Sequence, residues 1–194
     1  RVFEEVARGG HTIDALVTRP NGAGQQERAD LGIDEPLTGD RRAIYEWVAR
    51  EEGRPMGDLL AVSDGEERRE DEALVDELID DGWLDVTEGG LLTAVEVPRP
   101  VVTIAVAFAL DDVDQARVAV NRTASFTDRQ YVVVPEACRE DVREAAHLFR
   151  AVGVGTAVLD DTGALDVLVE AETSPIENER VARGLAEDAV AGWL

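Results

Sequence analysis

Few side chains in this sequence are of the kinds that usually do chemistry, and their numbers already close several routes. There is one cysteine, Cys138, and there are two histidines, His11 and His147. A single thiol excludes an internal disulfide framework and a Cys-rich zinc site. Two distant histidines argue against a His-rich metal centre and against most Ser-His-Asp triads. Cys138 follows Pro135 closely and has no marked base beside it, so it is expected to be a small core or capping residue. The remaining ionisable groups are 42 Asp and Glu against 19 basic residues, every one of them Arg. Among the acids Asp14 stands out, because it lies between Ile13 and Ala15 in an alternating apolar segment. A carboxylate there is in the first instance a capped or paired polar group.

The acidic excess gives a formal charge of −23 over 194 residues, yet 44% of the chain is apolar and falls in periodic blocks. A disordered acidic chain lacks such blocks, so a folded core is expected. Dense carboxylates without lysine fit a protein adapted to molar salt, a halophilic cytoplasm. An acidic pI then says little about partners, since a DNA-binding protein from such a cell is acidic as well. The longest apolar run, Val101 to Leu110, is far too short to span a membrane. No signal-peptide pattern is seen, and with Arg1 first the chain reads as processed or trimmed. The expectation is a soluble, cytoplasmic protein without membrane contact.

The elements that must position any site follow from periodicity. Arg1 to Arg8 is expected to be a helix, with Val2, Phe3 and Val6 on one face and Gly9-Gly10 as its stop. His11 to Thr18 alternates as a strand, and 19–36 reads as a loop. Helices are expected from Asp40 to Gly53, from Pro55 to Val62 and from Arg68 to Asp81. A hairpin follows, Trp83 to Val86 and Leu91 to Val97 around Glu88-Gly89-Gly90. Beyond Val101 the pattern is α/β. Strands are expected at Val101–Leu110, Tyr131–Val134, Thr156–Leu159 and Leu165–Ala171, and helices at Asp111–Ser125 and Cys138–Val152. An amphipathic helix closes the chain, Ile176 to Leu194, with Val181, Leu185, Ala189 and Trp193 on its face. The implied organisation is 1–36, 37–98, 99–175 and 176–194.

Three short helices and a Gly-turned hairpin, in the segment LVDELIDDGWLDVTEGGLLTAV and the residues before it, resemble a winged helix-turn-helix. The run IAVAFALDDVDQARVAVNRTASFTDRQYVVVPE resembles the restriction-endonuclease-like, or PD-(D/E)-x-K, nuclease superfamily. Gln115-Ala116, Arg122, Phe126, Asp128, Tyr131 and Pro135 carry that likeness, which extends from Val101 to Glu170. It implies an α/β (α+β) fold with a mixed sheet, into which the winged helix is inserted. It also implies Asp14 as the metal aspartate, Glu4 or Glu5 as a helix carboxylate, and Gln115 lining the cleft.

The likeness breaks at two positions. Ala107 stands where the superfamily has Glu, and Ala109 where it has Lys. Mg²⁺ hydrolysis needs converging carboxylates, and a cation to position the attacking water. Arg is a poor proton acceptor and cannot replace the missing Lys. Asp14 and Gln115 would then be vestiges, with no cofactor as the chain is written and Mg only in an intact site. Either the lineage lost catalysis or the two alanines were introduced into an active enzyme. Arg41, Arg42, Arg68, Arg69, Arg117 and Arg122, together with Arg129, are the candidate DNA contacts. They should share a surface if the protein is a DNA-associated regulator or inactivated endonuclease. The alternatives are a protein-interaction or dimerisation module and a ligand-responsive transcription regulator. A homodimer is expected. The segment EERREDEALVDELID has eight acids against Arg68 and Arg69, which sets it against phosphate contact.

If the carboxylates are adapted to salt, stability must fall as KCl is diluted, because the screening length grows from about 3 Å at 1 M to about 30 Å at 0.01 M. Thermal melts from dilute to molar KCl should show a steadily rising Tm. A Tm independent of KCl would refute the halophilic account.

Overall fold

The computed structural model describes residues 1–194 except 9–10, 52, 62–64, 110–112 and 193–194. Nine strands and seven helices are described, and the strands form two sheets. The larger sheet has six strands: β1 (Val2–Arg8), β2 (His11–Pro20), β6 (Val101–Phe108), β7 (Arg129–Pro135), β8 (Gly155–Leu159) and β9 (Leu165–Val169). Their order across the sheet is β1-β2-β6-β7-β8-β9. β2 runs antiparallel to its neighbours β1 and β6, β6, β7 and β8 run parallel, and β9 returns antiparallel. Parallel neighbours need crossovers, and these are α5 (Val113–Asn121) and α6 (Arg139–Ala151). The class is therefore mixed α+β. Asp14's strand and the apolar strand are neighbours in this sheet: Ala15 pairs with Val106 and Leu16 with Ala105.

The first expectation to fail is the N-terminal helix, because Val2–Arg8 is a strand. Phe3 and Val6 are three apart, as on a helix face, yet both pack in the main core. They do so because Glu5 takes a left-handed φ of +52°. Register runs through Glu4↔Ala15 and resumes at Val6↔Ile13, omitting Glu5 and Asp14. The irregularity reverses side-chain alternation, so a strand acquires helix-like spacing. Glu4 and Glu5 are therefore not helix carboxylates. The expected stop at Gly9-Gly10 lies outside the described residues.

The second failure is the loop at 19–36. β2 continues to Pro20 and α1 (Gly22–Asp30) follows, capped by the Asn21 side chain, which accepts from Gly24 N–H. This helix has almost no apolar face for periodicity to detect; its anchor is the buried Arg28.

A second unit comprises α2 (Gly39–Val48), β3 (Arg54–Pro55), α3 (Met56–Leu60), α4 (Gly65–Asp80), β4 (Leu84–Val86) and β5 (Leu91–Ala94). Its three strands lie in the order β3-β5-β4. They and the helices enclose a separate core that includes Leu37, Ile44, Val48, Val75, Leu78, Trp83 and Leu92. Expected ends at Val62, Leu110, Asp111 and Trp193 lie outside the described residues.

The last helix, α7 (Glu179–Ala191), joins the two units, and Ala182 to Ala189 are all buried. Ala182 and Leu185 enter the sheet core. Its polar side meets the smaller unit. Glu187, fully buried, accepts from Arg28 Nη1 at 2.5 Å and Nη2 at 3.3 Å, and from Leu37 N–H at 3.1 Å. Asp188 accepts from Arg42 Nη1 at 2.6 Å and pairs with Arg8. Arg183 donates to the Val97 carbonyl, and Arg28 also lies 5.0 Å from the Trp83 ring centroid.

Removing one member of a buried ion pair strands the other without water, at a cost of about 3–5 kcal/mol. Glu187→Ala should therefore lower the unfolding free energy by about that much in denaturant titrations at molar KCl. Arg28→Met with Glu187→Leu should recover a large part of the loss. A single variant as stable as the parent chain would show that α7 is held by its apolar side alone.

Candidate functional site

The β2–β6 ladder ends at Ala15↔Val106. One residue beyond, Asp14 Oδ2 accepts from the Phe108 backbone N–H at 2.9 Å. The carboxylate thus satisfies the donor left free where the two strands part. Ala107 and Ala109 do not line a cleft there. Both are buried in the main core together with Ala105, Val132 and Val134 of the sheet, Ala116 and Val120 of α5 and Leu185 of α7. The expectation that these two positions open onto a cleft is corrected by this packing. A shift of one residue does not rescue it, because the opposite side of β6 presents Val106 and Phe108. Gln115 is exposed on α5. Among the described residues no group of three His, Cys, Asp or Glu is placed to hold a metal ion. Asp14 supplies one carboxylate, and among the described residues no further His, Cys, Asp or Glu is grouped with it into a donor set for Mg²⁺.

The candidate DNA-contacting arginines of the helices are spread over α2, α4 and α5 and the turn that follows α5. Arg41 on α2 pairs with Glu35 and Asp81, and Arg42 with Asp188. Arg68 on α4 pairs with Glu72 at 3.5 Å, and Arg117 on α5 with Asp114 at 3.3 Å. Arg69 and Arg122 are exposed. Four of the six are thus engaged by carboxylates of their own chain. Arg42 is a structural tie between the units.

The sheet has a second feature that residue types alone do not reveal. The helices α5, α6 and α7 all contribute to the core on one of its faces. On the other face lies a cluster made only of strand residues: Ala15, Val106, Val133 and Ala157, with Val17, Ile104 and Tyr131 against them. Tyr131 pairs with Gly155 across β7 and β8. A Cβ on Gly155 would lie 2.4 Å from the Tyr131 ring, so the missing side chain is what lets the ring lie over the sheet. The Tyr131 hydroxyl donates to Glu170 at 2.8 Å and accepts from Ala171 N–H at 3.2 Å. Desolvation by burial pushes this phenol above its ordinary value; Glu170 acts in the same direction, and the Ala171 N–H opposes it. The signal for this face is the apolar runs at 104–108 of β6 and 131–135 of β7, which mark strand segments apolar on both sides.

A carboxylate at position 107 would be buried among alanines and valines without a partner. Ala107→Glu should therefore lower stability by about 3 kcal/mol or more, read as a lowered Tm, and calorimetry should record no Mg²⁺ binding. A stable variant that takes up Mg²⁺ would restore the cleft reading. Compared with family models, with curated proteins and with solved structures, the chain matches none.

Proposed function

We propose that this chain is a non-catalytic, DNA-associated regulator whose contact module is a winged helix. The observation that carries the reading is the order α2-β3-α3-α4-β4-β5 with its three strands arranged β3-β5-β4. This is the layout in which a third helix and a hairpin wing approach the DNA grooves. The helix in the recognition position is α4, and Arg68 and Arg69 lie exposed in its first half. The wing turn is Thr87 to Gly90, where Gly90 N–H bonds the Thr87 carbonyl at 2.9 Å. Burial of Ala107 and Ala109 in the core supports the non-catalytic half of the reading. The larger sheet then serves as the frame on which the module is mounted.

A second reading, contact with protein instead of DNA, is favoured by the eight acids of α4. Salt dependence separates the two. An ordinary DNA-binding protein loses affinity as salt rises, because bound cations are released. Here cations must be kept between the α4 carboxylates and the phosphates, so affinity should stay flat or rise as KCl rises toward molar. Fluorescence anisotropy with random-sequence duplex DNA across a KCl series measures this. Arg68→Ala with Arg69→Ala should weaken binding about tenfold or more, since each phosphate contact carries part of the affinity. Absence of binding at every KCl concentration would overturn the DNA reading and leave the protein-contact one.

A further inference from the structure

The open face of the larger sheet is unusual in kind for so acidic a chain. Alternation places Ala15, Val17 and Arg19 of β2 on it, and Val102, Ile104, Val106 and Phe108 of β6. The corresponding positions of β7 are Arg129, Tyr131 and Val133, and those of β8 and β9 include Ala157, Leu159, Leu165 and Val167. In a protein with 42 acidic residues, none of these positions carries a carboxylate. Two acids beside it are already engaged: Asp14 on the Phe108 N–H and Glu170 on the Tyr131 hydroxyl. Asp166, the one acid within β9, alternates to the other side and pairs with Arg139 at the start of α6. The edge strand β1 adds Val2 and Glu4, so the few charges on the face are of both signs. Large apolar side chains remain in water on it: Phe108 is 48% exposed, Leu165 61% and Val167 45%.

We propose that this face is the interface of a homodimer, covered by the same face of a second copy related by a two-fold axis. Self-association suits it for two reasons. The first is charge. Two chains of −23 each repel across nearly any surface they could bring together. The apolar sheet face is where close approach adds little like-charge contact, and where Arg19 and Arg129 can offset the field of the other copy. The second is area. Six strands at about 4.8 Å spacing and about 20 Å length give about 500 Å² per copy before side-chain relief is counted. Two copies thus bury about 1,000 Å² or more, the lower bound for a specific interface. Two sheets packed face to face would sit about 10 Å apart, with Phe108, Tyr131 and Val167 interdigitating. A two-fold contact also closes on itself, so it gives a dimer and not a filament. This interface is independent of whether α4 touches DNA.

Sedimentation equilibrium of the full chain in molar KCl tests the proposal. A dimer is expected at micromolar concentration. Leu165→Glu and Val167→Glu change exposed positions and should each weaken dimerisation at least tenfold, and together at least a hundredfold, with the circular dichroism spectrum and Tm of a folded monomer. Leu148→Glu alters an equally exposed apolar residue on α6, across the sheet, and should leave the dimer intact. A parent chain monomeric up to about 100 μM would overturn the proposal. So would a dimer that survives the double variant or is dissociated by Leu148→Glu. If the double variant fails to fold, Phe108→Arg takes its place in the same measurement: a folded monomer supports the interface, and an undiminished dimer overturns it.

Discussion

A carboxylate with no access to water must find its positive charge and its hydrogen-bond donors inside the protein. Glu187 is such a group, and its donors come from two places: Arg28 of α1 and the Leu37 N–H at the threshold of α2. Satisfying one side chain therefore fixes where α1 lies, where the smaller unit begins and how α7 is rotated. Asp188 extends the demand by one residue to Arg42 and Arg8, and Arg183 ties α7 to Val97 at the far end of the smaller unit. With Leu185 in the sheet core, the same helix turn serves both units. The geometry between them is set by ion pairs that tolerate little sliding, whereas an apolar seam would permit it.

How much of this is legible in the sequence depends on which force fixes each element. Where apolar burial sets the fold, as in β6, β7, α6 and the α2–β5 unit, period alone finds the element within a few residues. Periodicity fails where something else governs. In β1 the backbone at Glu5 reverses the alternation, so a strand presents helical spacing. In α1 a buried guanidinium does the anchoring, and no apolar stripe exists to be read. The seat of α7 is hidden for a related reason: a helix buried by apolar packing on one side and by ion pairs on the other looks, from its residues, like an ordinary amphipathic one. For the site, the position of Asp14 beside the apolar strand is legible, but its role is not. Its partner is a backbone N–H, and the alanines expected beside it face the helices.

The smaller and larger units divide the work of the molecule along chemical lines. The smaller unit carries charge outward on α4, where Glu70, Asp76, Glu77 and Asp80 are exposed beside Arg68 and Arg69. The larger buries a set of charges in the joint with α7, exposes others along α6, and keeps one broad sheet surface nearly free of them. Phe108, Tyr131, Leu165 and Val167 gather on that one face, and the proposed self-association rests on it.

The left-handed residue in β1 bears on a different hazard. β1 is the edge of the six-stranded sheet, and an edge offers unpaired N–H and C=O groups to any strand that drifts past. In dilute salt, repulsion between carboxylates keeps other chains away. In molar salt that repulsion is screened beyond about 3 Å, and only shape is left to guard the edge. The turn at Glu5 interrupts the straight row of donors and acceptors midway along the strand. The seven-residue edge keeps one register against β2 on both sides of Glu5, but its backbone is irregular at the middle residue. The kink that hides the strand from its sequence pattern thus also makes the sheet's outer edge a poorer template for a straight incoming strand.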